Sequence, residues 1–299
     1  MDRRTFLKMI GAGLAAVAGG NLLTPCAAKA EEGVGGMEFH GNLIDTTRCI
    51  GCRRCEKACA EVNNLPIPDI SENANESILK KVRKTTDTQY TITNRYETSK
   101  GTIFVPWRCM HCNQPACHSA CLVYAMEKQP SGHVTWDKNC MGCRLCMMSC
   151  PFDIPKFEYK SSIPRVQKCN LCYGRFKKGS VPACVEACPT GALMFGTRRN
   201  LLEEAKRRIS QNPDNYFHHV YGEYEAGGTS HLYLAAVPFE QLGLRTDIGI
   251  KPYPEYSLVY LSAIPFIATI TPIAMLAINA ATRKRKEKHE EKHEEKEKH

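Results

Sequence analysis

From Tyr256 to Ala281 the chain passes through 26 residues without a formal charge, and Arg283-Lys284-Arg285-Lys286 follows almost at once. As a helix this stretch reaches roughly 39 Å, enough to cross a bilayer with some tilt. Pro265 and Pro272 are compatible with a membrane helix whose freed carbonyls find other donors. Tyr253, Tyr256 and Tyr260 crowd one end as interfacial aromatics do, and the basic run marks the other end as cytoplasmic. A shorter apolar stretch, Met9 to Leu23, follows a charged start and leads to Ala28-Lys29-Ala30, the layout of an export signal over residues 1–30. Between these ends the hydrophobic positions alternate only in short runs. "YTITNRY" and "TIFVPW" predict a hairpin inserted within residues 62–105, and "AMEK" and "HVTW" predict another about Gly132.

Both ends carry more specific signals. Arg3-Arg4-Thr5-Phe6-Leu7-Lys8 resembles the twin-arginine motif that addresses folded proteins for export, with Asp2 where Ser or Thr is usual. Cys26 follows "LTP", where a lipoprotein signal would want a small residue, and reads as incidental. The closing "EKHEEKHEEKEKH" is low in complexity and reads as a solvated tail rather than a metal site built from His289, His293 and His299.

The formal charge of +9 belongs largely to these ends: four Lys/Arg against one Asp in residues 1–30, and eight against six Glu in residues 283–299. The rest is close to balanced, which argues against nucleic acid as a partner. No nucleotide loop, flavin fingerprint or acid/base constellation stands out, so the chain reads as lacking a catalytic site of its own.

Seventeen of the 299 residues are cysteine, and sixteen of them fall into four groups of four. The first is Cys49-x2-Cys52-x2-Cys55-x3-Cys59, and the second is Cys109-x2-Cys112-x4-Cys117-x3-Cys121. The third, Cys140-x2-Cys143-x2-Cys146-x3-Cys150, ends in Pro151; the fourth, Cys169-x2-Cys172-x11-Cys184-x3-Cys188, ends in Pro189. Three thiolates on one tight loop can cap three irons of a cubane, and the fourth, a helical turn later, serves the neighbouring cluster. Zinc prefers two pairs from separate loops around one ion. A disulfide framework has no reason to repeat one spacing. Haem attachment needs C-x-x-C-H, and no C-x-x-C here is followed by His. Every ligand position is cysteine, so the pattern predicts four 4Fe-4S clusters.

The flanks predict which groups pair. "LIDTTRCIGCRRC" and "VTWDKNCMGCRLC" share a short strand, an Asp and then C-x-G-C-R, so the first and third groups are preceded alike. "CLVYAMEK" and "CPTGALMF" show the second and fourth groups followed alike. A two-cluster ferredoxin runs from one group through a hairpin into the next, and the Gly132 hairpin joins groups two and three in this way. "PFDIPKFEYKSSIPRVQK", between groups three and four, carries three prolines and no hairpin signal. Groups one and four therefore form a second unit around the first.

The crossed rule gives four ligand sets: A, Cys49, Cys52, Cys55 and Cys188; B, Cys169, Cys172, Cys184 and Cys59; C, Cys109, Cys112, Cys117 and Cys150; D, Cys140, Cys143, Cys146 and Cys121. Met141, Met147 and Met148 read as packing around a cluster rather than ligands. His111, between two ligands, either donates a hydrogen bond to sulfur or is an ordinary surface histidine.

With sixteen cysteines in this order, the chain resembles the four-cluster ferredoxin-like electron-transfer subunits of membrane-bound oxidoreductases. Its export signal, its C-terminal apolar helix and the segments "LMFGTRRNLLEEAKRRI" and "HHVYGEYEAGGTSHLYLAAVPFEQLGL" resemble the HybA type, the iron–sulfur subunits of quinone-linked periplasmic nickel–iron hydrogenases. The resemblance implies an α+β fold of two nested bacterial ferredoxin-like units with insertions, plus one C-terminal transmembrane helix. It implies a non-catalytic wire between a periplasmic catalytic subunit and an integral membrane quinone-reactive subunit, held at the inner membrane by a single span. Set A would meet the catalytic partner and set D the membrane side. A molybdopterin oxidoreductase is the alternative partner, and a non-redox metal-binding or disulfide-stapled protein is the alternative class. The expected layout is signal (1–30), first group and insertion (31–105), inner unit (106–155), fourth group (156–200), post-cluster segment (201–255), transmembrane helix (256–281) and charged cytoplasmic tail (282–299).

Overall fold

The structure, a computed structural model, describes residues 38–161 and 164–297. The export signal expected at 1–30, with Arg3, Arg4 and Cys26, lies outside the described residues. In chain order the elements are β1 (His40–Asp45), α1 (Arg54–Val62), α2 (Glu72–Leu79), β2 (Ile92–Thr98), β3 (Gly101–Trp107), α3 (Ala116–Ser119), β4 (Met126–Lys128), β5 (Val134–Trp136) and α4 (Leu145–Met148). They continue as β6 (Lys156–Phe157), β7 (Val166–Gln167), α5 (Tyr173–Phe176), α6 (Ala183–Glu186), β8 (Leu193–Thr197), α7 (Arg198–Gln211), β9 (His231–Leu234) and α8 (Tyr253–Glu297). The fold is α+β, with short strands and helices set around the cysteine loops.

Two ladders are equivalent. β4 pairs antiparallel with β5, Met126 opposite Trp136, and β8 pairs antiparallel with β1, Leu193 opposite Ile44. Met126 and Leu193 each stand five residues after the last cysteine of a group, and Trp136 and Ile44 each directly precede an aspartate. Both aspartates make the same local turn: Asp45 Oδ1 accepts the amide of Thr47 at 3.1 Å, and Asp137 Oδ1 accepts that of Asn139 at 2.8 Å. The helices repeat the relation. α3 and α6 both start after a proline, Pro115 and Pro182, and both open Ala-Cys. α3 packs on α4, and α6 packs on α1.

β9 adds to the other edge of β1 in parallel, giving the sheet order β8-β1-β9. α7 covers one face of this sheet. Thr197 caps it by accepting the Asn200 amide at 3.4 Å, and Leu201, Ala205 and Arg208 form its buried stripe. Fully buried Asp45 joins the layers, accepting hydrogen bonds from Arg208 Nη1 at 2.8 Å and Tyr216 Oη at 2.9 Å.

The insertion holds the expected hairpin, with β2 and β3 in register from Ile92–Trp107 to Thr98–Gly101. It is more than an appendage, because Ile103 and Val105 are buried in the main core with Cys55, Cys109 and Cys184. Between groups three and four, where no hairpin signal is present in "PFDIPKFEYKSSIPRVQK", the structure nevertheless forms one. β6 and β7 pair antiparallel there for two residues. Pro155 and Pro164 lie just outside that ladder, so neither removes one of its donors. Glu158, closing the wide loop with Arg165 through backbone and side chain, replaces a tight turn.

α8 contains Pro265 and Pro272 and runs beyond the expected span, through the charged tail to Glu297. Lys and Glu are good helix formers, which accounts for the continuation. Its stretch Ala263–Arg283 has a mean hydropathy of 1.8 and is long and apolar enough to cross a membrane.

Candidate functional site: four cysteine loops

All four C-x-x-C loops share one backbone feature. The residue before the second cysteine has a left-handed φ: Gly51 at 71°, His111 at 48°, Gly142 at 73° and Leu171 at 53°. The turn folds each pair of cysteines onto one loop. His111 and Leu171 hold a conformation that costs a side-chain-bearing residue ~1–3 kcal/mol, strain that persists at ligand clamps. The Arg after C-x-G-C is left-handed too, at 57° for Arg53 and 61° for Arg144, and each starts a helix. Three residues after the last cysteine of groups two, three and four, Tyr124, Asp153 and Gly191 are again left-handed. The turn lets an amide further on reach back to sulfur: Met126 N–H lies 3.4 Å from Cys121 Sγ, and the amides of Thr190, Ala192 and Leu193 serve Cys188.

The loops converge across the sequence. Cys49, Cys52, Cys55 and Cys188 line one cavity with Thr93, Pro106 and Leu193. Cys121, Cys140, Cys143 and Cys146 line another with Val123, Met126 and Trp136. Cys59 lies in electrostatic range of Cys184 and Cys172, and Cys169 in range of Cys59, Cys109 and Cys184. Cys112 has Cys150, Cys117 and Cys109 as neighbours. All sixteen described cysteines are unbridged.

The donor set fits iron–sulfur clusters. Each of the two cavities is lined by four cysteines and no carboxylate or imidazole. Among the described residues, no three His, Cys, Asp or Glu converge as they would around a single ion. Four soft sulfurs spread around a cavity suit a polynuclear core.

Burial governs the thiols. It pushes Cys49 up to about 11 and Cys55 and Cys59 up to about 12, and it raises Cys117 and Cys169 as well. Such thiols keep their protons at neutral pH, so ligation and deprotonation come together. Cys188 departs from this. Burial opposes its thiolate, but the amides of Leu193, Thr190 and Ala192 and the Thr190 hydroxyl hold it below the ordinary thiol value. Other donors to sulfur are Asn63 Nδ2 to Cys59 at 3.6 Å and Leu171 N–H to Cys169 at 3.4 Å, and Thr93 Oγ1 stands 3.6 Å from Cys55.

Several buried polar residues around the loops were not singled out by spacing. Glu56 is held by Arg53 Nη2 at 3.1 Å, Arg83 Nη2 at 2.6 Å and the Thr93 amide at 2.6 Å. Lys128 Nζ donates to the carbonyls of Cys112 and Gly132 at 2.8 and 2.7 Å, and burial lowers it to about 7. His111 is fully buried rather than on the surface; its Nδ1 accepts the Val134 amide at 2.9 Å, and its Nε2 has no partner. The methionines divide: Met147 packs in the core, Met141 lines the second cavity but is 60% exposed, and Met148 is 83% exposed. Of the two Arg that follow C-x-G-C, Arg53 is buried and Arg144 is exposed.

Residues 101–198 match a family model described as a 4Fe-4S dicluster domain. The chain is 45% identical over 293 residues to a protein of Nitratidesulfovibrio vulgaris strain Hildenborough, covering 96% of this chain and 78% of the relative. It is 36% identical over 276 residues to the hydrogenase-2 operon protein HybA of Escherichia coli O157:H7, covering 82% of this chain and 84% of the relative. It is 33% identical over 259 residues to the iron-sulfur subunit of the nitrate-inducible formate dehydrogenase of Escherichia coli strain K12, covering 81% and 85%.

Proposed function

The chain belongs to the HybA and formate dehydrogenase family of 4Fe-4S electron-transfer subunits, and from that premise we propose that it conducts electrons through four clusters held by crossed cysteine sets. The sets are A (Cys49, Cys52, Cys55, Cys188), B (Cys59, Cys169, Cys172, Cys184), C (Cys109, Cys112, Cys117, Cys150) and D (Cys121, Cys140, Cys143, Cys146). Sets C and D make an inner ferredoxin-like unit, and sets A and B make an outer unit around it. The observation that carries this reading is the shared register of the two ladders. β8–β1 joins the end of group four to the start of group one as β4–β5 joins groups two and three. The two cavities supply independent support for sets A and D.

When bound, the clusters supply one-electron transfer without moving atoms. The chain's residues hold and insulate them. Sixteen thiolates fix the positions, and amides such as those of Met126 and Leu171 stabilise charge on sulfur. Pro106, Leu193, Val166 and Trp136 wall the two cavities against water.

Set D faces the membrane side in this reading. Leu122, Tyr124, Met141 and Met148, beside its cysteines in sequence, are between 60% and 83% exposed, an apolar face for an integral quinone-reactive protein. α8 contacts α3, which carries Cys117 and ends two residues before Cys121. Set A then faces a periplasmic catalytic subunit, with α8 spanning the inner membrane, its C-terminus cytoplasmic and the twin-arginine signal directing export. The HybA relative favours hydrogenase as that subunit, and the formate dehydrogenase relative supports a molybdopterin enzyme as the second reading. Purification of the complex from native membranes, with mass spectrometry and metal analysis, separates them. Nickel and hydrogenase subunits are expected; molybdenum would establish the second reading.

A further inference from the structure

Arg108 is buried entirely within the core. It is 0% solvent-accessible, and its electrostatic neighbours are Cys184, Cys55, Tyr233 and Cys169, with no carboxylate among them. Nη1 donates to Cys184 Sγ at 2.8 Å, while Nε and Nη2 are buried without a partner among the described residues. The backbone around it is clamped by β9. Tyr233 Oη donates to the Pro106 carbonyl at 2.9 Å, His231 Nδ1 bonds the Cys109 carbonyl, and the His231 amide donates to Met110 O at 3.1 Å. A guanidinium so placed is strongly unfavourable unless negative charge stands beside it. Other buried cations near the cysteines have partners: Lys128 and Lys168 are each satisfied by two backbone carbonyls, and Arg53 by the Glu56 carboxylate. Arg108 has only sulfur.

We propose that Arg108 is the internal counter-ion of sets A and B, a positioning residue that raises the reduction potentials of the clusters they hold. This rests on the ligand sets proposed above. Nη1 meets set B at Cys184, Nε and Nη2 supply two further donors to that junction, and Cys55 brings set A into the same field. Arg108 keeps its proton throughout, so its charge is constant. One electron leaves the cluster of one set as that of the next gains it; no bond forms or breaks and no proton moves. A fixed positive charge favours the state with the extra electron. Set D does not share Arg108: the neighbours acting most on Cys146 are Cys140, Cys121 and Cys143, and the cation lining its cavity is Arg144, which lies over the Phe157 and Tyr159 rings. Arg108 thereby sets the outer unit apart from the far end of the inner unit.

The test is a redox titration of the full-length complex followed by electron paramagnetic resonance, comparing wild type with Arg108→Gln and Arg108→Lys. Arg108→Gln is expected to shift the reduction equilibrium of two clusters at least tenfold toward oxidised, 59 mV for a one-electron couple, with the set D signal unmoved. Arg108→Lys retains the charge and is expected to stay within about threefold of wild type. Unshifted potentials, or equal shifts in all four clusters, overturn the proposal. Should Arg108→Gln lose its clusters, wild type grown with 15N-arginine decides: a 15N coupling in the pulsed spectrum of a reduced outer cluster is expected, and its absence overturns the role. Iron content separates the two levels of inference. Unshifted potentials with about sixteen irons per chain defeat Arg108 alone, whereas fewer irons in wild type defeat the ligand sets and this role with them.

Discussion

Cys49 and Cys188 line the same cavity, although the second and third cysteine groups both lie between them in sequence. The β8–β1 ladder brings them together, with Leu193 opposite Ile44. Cys188 is also the cysteine whose thiolate the surrounding amides favour against burial.

Replacing Cys188 with Ser is therefore expected to disturb the cluster held by Cys49, Cys52 and Cys55, with loss of up to about four irons per chain. The signals of the inner unit should remain. Iron analysis with electron paramagnetic resonance checks this, and loss of an inner-unit signal instead would contradict it.

Glu56 is 3% exposed and is the shared acceptor of Arg53, Arg83 and the Thr93 amide. Glu56→Ala leaves the buried Arg53 guanidinium and the partly buried Arg83 without their carboxylate, and breaking such a buried pair costs about 3–5 kcal/mol. A lower urea midpoint for bleaching of the cluster absorption is the expected result, and an unchanged midpoint would show that the triad is dispensable.

The pair His219–Glu225, 2.6 Å between Nε2 and Oε1, gives a pH signature. The hydrogen bond to Glu225 raises His219 above 6.5, so its contribution is full below that value and fades as pH rises through the folded value. Burial works against Glu225, yet His219 and the Gly222 amide hold it below 4.5, so its contribution is full above that value and fades as pH falls. His219→Gln should thus lower stability most between about pH 5 and 6 and least above about pH 8. Melting curves across that range test the sign.

Export supplies the fourth expectation. Sixteen bare thiols delivered unfolded to an oxidising compartment would compete as disulfides with cluster ligation. Replacing Arg3 and Arg4 with Lys should strand a cluster-loaded precursor in the cytoplasm, and fractionation would locate it. Quantitative export of the double variant would remove the twin-arginine reading.

Much of this architecture is written in local repeats. The four groups, the Gly132 hairpin and the likeness of "LIDTTRC" to "VTWDKNC" are adjacent-residue signals, and the structure realises the likeness as equal ladders and equal aspartate turns. The same repeat places glycines at 51 and 142, where the structure has a left-handed φ. His111 and Leu171 adopt that conformation without glycine, so composition could not reveal it. Arg108, Glu56 and Arg83 look like ordinary surface charges in sequence. Their burial follows from β2–β3 folding over group one, a contact between distant segments. The short β6–β7 ladder was hidden because a wide ion-paired loop, not turn residues, closes it.

An anomalous-scattering map at the iron edge from crystals of the native complex would place each cluster against the crossed cysteine sets. Four iron clusters are expected, the one beside Cys49, Cys52 and Cys55 completed by Cys188, and the one beside Cys169, Cys172 and Cys184 completed by Cys59. A map with Cys59 completing the cluster of its own loop, or with zinc at these positions, would contradict the account.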